Sequence, residues 1–308
     1  MPLLSTGLSA SVASRLPNPL GGERRVWIWR GQRIAYVERP PRTVGATGHH
    51  AAEPIVFLHS IHAAAWSAEW RNTMPAMHEQ HCYALDLLGF GASDRPAVHY
   101  TAQLYLQLIH DFLVDVVGEP ALLVGSSLGG TYAIAIAADH PHLVRGVVAI
   151  GPAGVTRLVH QGGAGFGAIE TLFRAPALGR LCFSALVSRP CIRFFLKDIY
   201  AFGLDKTGEA LYWRSANEPN ARFAPAAFVG MQLNWDIRER IAQVDCPLLI
   251  AWGTEASQTP YREAAQVTAR APRAEFAAFP SGDLPHEEAA EQFVATLRAF
   301  AARTTVGV

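Results

Sequence analysis

Apolar positions along the chain fall into two patterns. In the first, Ile55-Val56-Phe57-Leu58 makes an unbroken apolar run within Pro54 to His59, and Val144 to Ile150 makes another. Such runs predict strands covered on both faces, as in a parallel sheet. His81 to Leu87, Ala121 to Val124, Pro247 to Trp252 and Ala274 to Phe279 predict further strands. In the second pattern apolar residues form a stripe. Tyr105, Leu108, Ile109, Phe112 and Val116 share one face, which predicts a helix from Thr101, its cap, to about Val117. Helices are also predicted from Trp66 to Glu79, from Thr131 to Ala138 and from His286 to Ala302. Val26 to Arg30 and Gln32 to Glu38 alternate around Gly31, as the arms of a hairpin do.

Strands and helices alternate with short loops as far as Pro152, which predicts a doubly wound α/β sheet. The alternation then stops. Residues 153–244 hold helix-like runs broken by Gly and Pro and are rich in aromatics, Trp213 and Trp235 among them. We read this segment as a helical cap over a core made of residues 25–152 and 245–308, with 1–24 as a loose leader. The loop 39–53 carries His49-His50, which we read as solvated rather than metal-binding.

Between the strand at Ala121 and the helix at Thr131 lies Gly125-Ser126-Ser127-Leu128-Gly129. A strand that turns sharply into a helix strains the residue at its tip, and small neighbours give the turn room. Ser127 is thereby placed at the carboxyl end of a sheet, over a helix N-terminus that favours negative charge.

Composition narrows the chemistry. The 308 residues are half apolar, with 26 basic and 26 acidic side chains. That balance speaks against a nucleic-acid partner and against a polybasic membrane anchor. No uncharged apolar run reaches bilayer length, and the first residues lack a secretion signal, so we expect a cytoplasmic protein. Cys82, Cys182, Cys191 and Cys246 show neither metal spacing nor a disulfide framework and read as reduced thiols. No metal and no cofactor is expected.

These motifs, in this order, resemble the α/β-hydrolase superfamily with a helical cap. The resemblance rests on Phe57-Leu58-His59, the Asp86 to Pro96 loop, the Gly125 to Gly129 elbow, Pro247 to Gly253, and Gly282 to Glu288. It implies a mostly parallel eight-stranded sheet. It places Ser127 on the nucleophile and the backbone N–H groups of Ile61 and Leu128 on an oxyanion hole. The same pattern puts the triad acid at Ala256, in Trp252-Gly253-Thr254-Glu255-Ala256, and the triad histidine at Asp283. Base and acid are therefore missing together. Ser60 stands where the superfamily usually has glycine, and His59-Ser60-Ile61-His62 is similar to the corresponding loop of plant hydroxynitrile lyases.

Three functions compete. The first is non-hydrolytic chemistry, an elimination, lyase or cyclisation step such as the acetate elimination of tetronate assembly. It would act on a small apolar carbonyl or ester compound, with Asp283 as a base raised by an apolar pocket and Ser60, His62, Trp213 and Trp235 around the substrate. The second is a serine esterase in which His286 and Glu255 stand in for the lost partners. The third is a ligand-binding protein that has lost catalysis. Asp86 and Asp94 are read as turn-forming residues. Oligomeric state is open, a homodimer included.

Overall fold

A computed structural model describes residues 15–41, 53–160, 162 and 164–304. Residues 1–14 of the expected leader and the His49-His50 loop lie outside the described residues. The strands are β1 (Glu23–Trp29), β2 (Gln32–Arg39), β3 (Pro54–Leu58), β4 (His81–Leu85), β5 (Ala121–Ser126), β6 (Val144–Ile150), β7 (Leu248–Gly253) and β8 (Glu275–Phe279). They form one sheet in the order β1-β2-β4-β3-β5-β6-β7-β8. β1 and β2 pair antiparallel, as do β2 and β4, and all other neighbours are parallel.

β3, β5, β6 and β7 are buried along their whole length, which is why their sequences run apolar without alternation. One face, with Val56, Leu58 and Leu123, packs under helices α1 (Ala102–Phe112) and α2 (Leu128–Asp139). The other face, with Ile55, Phe57 and Val124, packs against Trp70, Met74 and the last helix of the chain.

Between β6 and β7 the chain forms α3 (Ala164–Arg174), α4 (Leu178–Leu186), α5 (Arg189–Ile199), α6 (Lys206–Ala216) and α7 (Phe223–Val229). α4, α5 and α6 share a small apolar core with Ala64, Trp66 and Leu284 from the loops of the sheet, whereas α7 packs through Phe223, Ala224 and Ala227 into the core on the side of α1 and α2. After β7 come α8 (Ala264–Thr268), α9 (Pro285–Glu288) and α10 (Ala290–Arg303).

Three local expectations change. The helix expected over 66–79 is instead two short 3₁₀ segments, Ser67–Asn72 and Met74–Ala76. Pro75 cannot donate an in-helix hydrogen bond, and the Trp66 backbone is extended, so no α-helix starts there. The final helix breaks at Ala289 (φ −117°) into α9 and α10. The first strand begins at Glu23, and Arg24 anchors the preceding chain through the carbonyls of Leu16 (2.9 Å) and Pro17 (2.8 Å).

The strand order also locates the site. From β3 the chain moves to β4 on one side, whereas β5 pairs on the other. The loops after β3 and β5 therefore diverge at the carboxyl edge of the sheet, where open α/β sheets hold their ligands.

Candidate active site

Ser127 sits at φ 51°, ψ −119°, between β5 and α2. The turn closes because its flanking positions lack side chains. A Cβ on Gly125 would lie 2.4 Å from the carbonyl oxygen of Gly129, and one on Gly129 would lie 2.6 Å from that of His59. The Ser127 N–H donates to the Ile150 carbonyl at 2.8 Å, tying the turn to β6. Its hydroxyl has no hydrogen-bond partner among the described residues. The N–H groups of Ile61 and Leu128 likewise donate to no acceptor among them.

A cavity of about 400 Å³ opens between this turn and the cap. Ser60, Ile61, His62, Ser127 and Asp283 lie on its wall, and Phe183 and Leu196 are among the apolar residues that close it from the cap. The structure does not bring the other expected residues to it. Trp213 is outside the lining and carries the Arg189 guanidinium on its face at 4.5 Å. Trp235 is also outside, with Arg240 at 5.3 Å from its ring. Glu255 is exposed, and the Thr254 hydroxyl donates to its carboxylate at 3.3 Å. His286 is fully buried and stacked on Trp70, with ring centroids 4.2 Å apart. A ring held there offers no base to Ser127, which removes the structural ground for the esterase reading through His286 and Glu255.

Asp283 does reach the cavity wall, but its carboxylate is occupied. One oxygen accepts from the N–H groups of Ser257 (3.1 Å) and Gln258 (3.0 Å). The other accepts from the N–H (2.9 Å) and hydroxyl (3.0 Å) of Thr259. Four donors surround the carboxylate where the sequence reading expected an apolar pocket. Asp283 thus clamps the loop after Ala256, across the same gap that a histidine–acid pair would bridge. Asp86 and Asp94, read from the sequence as turn-forming, instead tie distant segments together: Asp86 accepts from the Ser67 N–H (2.9 Å) as well as from the Ala92 N–H of its own loop (2.8 Å), and Asp94 accepts from the Arg33 N–H (2.7 Å) on β2.

Two further ionisable groups flank the cavity. His62 accepts from the Ala64 N–H at Nδ1 (3.2 Å), while its buried Nε2 finds no partner among the described residues. Burial pushes its pKa down to about 4; the Glu69 charge opposes that shift and His59 adds to it. The ring is neutral near neutral pH, and the Nδ1 contact leaves the ring proton on Nε2. Glu69 is completely buried behind Ser60. Its carboxylate accepts from the Ser60 N–H at 2.9 Å and from the Ser60 hydroxyl at 2.6 Å. Burial would raise its pKa, but the neighbouring His286, the His59 ring and the Ser60 hydroxyl together hold it below the usual glutamate value. His286 Nε2 lies 3.5 Å from Glu69 Oε1. Sequence reasoning missed Glu69. Its one signal was a lone carboxylate inside the otherwise uncharged stretch Ala63 to Trp70.

A sequence model described as "Alpha/beta hydrolase family" matches residues 55–296. The chain is 30% identical over 135 residues to a 2-hydroxy-6-oxo-6-(2'-aminophenyl)hexa-2,4-dienoic acid hydrolase of Metapseudomonas resinovorans, an alignment covering 41% of this chain and 46% of that protein. It is 25% identical over 240 residues to a 2-hydroxy-6-oxo-6-phenylhexa-2,4-dienoate hydrolase of Burkholderia cepacia, covering 74% of this chain and 80% of the relative. With the first of these relatives, the match thus spans less than half of the relative's length. Among solved structures, a serine hydrolase involved in carbazole degradation superposes with a TM-score of 0.73 at 21% identity, covering 92% of this chain and 99% of the other. An enol-lactonase from Burkholderia xenovorans gives 0.71 at 16% identity, covering 90% and 99%. At these identities the superpositions establish the shared fold.

Proposed function

The chain belongs to the alpha/beta hydrolase family, and from that premise we propose an enzyme that activates the carbonyl group of a small, mostly apolar compound without forming an acyl-serine. The observation that carries this reading is the Ser127 hydroxyl, which has no base in contact with it among the described residues. A serine hydroxyl needs a base within about 3.2 Å to act as a nucleophile. With the relay gone, backbone donors and binding still supply on the order of 10³–10⁴ in rate.

The substrate carbonyl accepts from the N–H groups of Ile61 and Leu128, which stabilise charge as it develops on that oxygen. The neutral His62 ring lies on the same wall. The cavity volume of about 400 Å³ lies in the lower part of the range for small-molecule sites. From the relatives' names we carry over only the oxo group.

The reaction is an elimination or lyase step, for which a β-acyloxy carbonyl compound is the simplest substrate. The carbonyl oxygen is held by the two N–H groups while the α-C–H bond and the C–O bond break. A C=C bond forms, and the departing carboxylate takes the α-proton. Such a step needs neither a triad histidine nor a free carboxylate of the protein, and Asp283 serves it by holding the 257–259 loop.

A fluorophosphonate probe tests this reading. The wild-type protein is expected to stay unlabelled under conditions that fully label an ordinary serine hydrolase. Stoichiometric labelling, lost in Ser127→Ala, would overturn it.

A further inference from the structure

Ser60 and Glu69 are a buried pair facing the cavity from behind its wall. Ser60 is 4% exposed and Glu69 is completely buried, yet Ser60 lies on the cavity wall. Both polar groups of Ser60 that can donate, its N–H and its hydroxyl, end on one carboxylate. An ionised carboxylate only accepts. The Ser60 proton is therefore committed to Glu69, and what the hydroxyl can offer a ligand is a lone pair. His59 fixes the loop from the other side, with its Nδ1 2.5 Å from the Ser60 carbonyl and its Nε2 accepting from the Leu87 N–H at 3.1 Å. The hydroxyl is thus held in one rotation.

We propose that Glu69 is a positioning residue that makes Ser60 Oγ an acceptor-only subsite beside the carbonyl-binding N–H of Ile61, so that the compound this site takes carries a hydroxyl or enol O–H next to its carbonyl group. This rests on the carbonyl-binding reading of the cavity and adds the second polar group of the ligand. Chain neighbours supply the two subsites, Ser60 the acceptor and Ile61 the donor, so the two ligand groups must be close together. A site built to receive an O–H discriminates against an analogue without one because its own buried polar atom is then left unpaired.

The test uses 2-hydroxy-1-phenylethanone and its methyl ether, 2-methoxy-1-phenylethanone, with affinities from isothermal titration calorimetry. The wild type is expected to bind the hydroxy ketone at least about tenfold more tightly, the usual size of one neutral hydrogen bond that has lost its donor. Glu69→Gln keeps the shape and turns the polarity round. The amide oxygen of the introduced side chain takes the Ser60 N–H, its NH₂ donates to Ser60 Oγ, and the serine proton swings towards the cavity. The preference between the two ketones should then vanish or reverse. Ser60→Ala should abolish it, and that variant decides the matter should Glu69→Gln fail to fold. Equal binding of both ketones by the wild type, or an unchanged preference in both variants, would overturn the assignment of Glu69. Binding of neither would overturn it together with the carbonyl-binding reading. Labelling of Ser127 by the phosphonate would remove the elimination chemistry alone and leave this measurement standing.

Discussion

At the residue scale, the site is decided by what surrounds each ionisable group. His62 gives the clearest pH signature. Its folded pKa is about 4, lowered by burial, against about 6.5 in an unfolded chain. Between those values the unfolded chain binds the extra proton, so this residue makes stability fall as pH drops from about 6.5 to about 4 and contributes no slope above that window. Urea midpoints at about pH 7 and about pH 5 should differ less in His62→Phe than in the wild type; an equal loss in both would reject the assignment. The sequence already marked Ser60, Ile61, His62, Ser127 and Asp283, because loop position after an apolar strand is a local property. It could not say what Asp283 holds or that His286 turns inward. Those outcomes depend on donors contributed 24 to 26 residues upstream and on the Trp70 ring 216 residues upstream.

At the scale of elements, a buried carboxylate ties the cap to the core. Glu287 in α9 accepts from the hydroxyls of Tyr200 and Tyr212, each at 2.6 Å, and pairs with Arg71 at 2.7 Å. Tyr200 follows α5 and Tyr212 lies in α6, whereas Arg71 belongs to the first 3₁₀ segment, so three separate parts of the chain meet on one group. Burial would lower the Arg71 pKa, but Glu287 overrides it and holds the guanidinium charged. Glu287→Gln should destabilise by about 3 kcal/mol, since breaking a buried pair strands the remaining charge. Tyr212→Phe should cost only about 1 kcal/mol, one neutral partner lost. Urea unfolding checks both, and a Glu287→Gln cost no larger than that of Tyr212→Phe would show that the pair does not seat the cap. The end of the strand–helix alternation marked the segment after β6 as helical, and β-strand burial was legible from unbroken apolar runs. The 3₁₀ stretch was not, because an amphipathic run with Trp66 and Trp70 four apart reads as α-helix until Pro75 and the extended Trp66 backbone are taken into account.

At the scale of the whole molecule, the strand order brings the loops after β3, β5, β7 and β8 to one edge of the sheet, and the cap covers that edge. Among the described residues no helix is long and apolar enough to cross a membrane. The clamp at Asp283 joins the loop after β7, the loop after β8 and the cap. Its carboxylate holds Ser257, Gln258 and Thr259, its N–H donates to the Ile199 carbonyl of the cap at 2.9 Å, and the Ser257 hydroxyl donates to the Asp198 carbonyl. Reinstating a triad by Ala256→Asp with Asp283→His would strip three N–H groups and a hydroxyl of their acceptor at once. We expect that double variant to melt earlier than the wild type and to gain no turnover of p-nitrophenyl acetate; recovered esterase activity at full thermal stability would contradict this. One carboxylate therefore fixes a wall of the cavity and the seat of the cap together, so a substitution at position 283 changes chemistry and stability at once, and new activities at this site are not sampled one residue at a time.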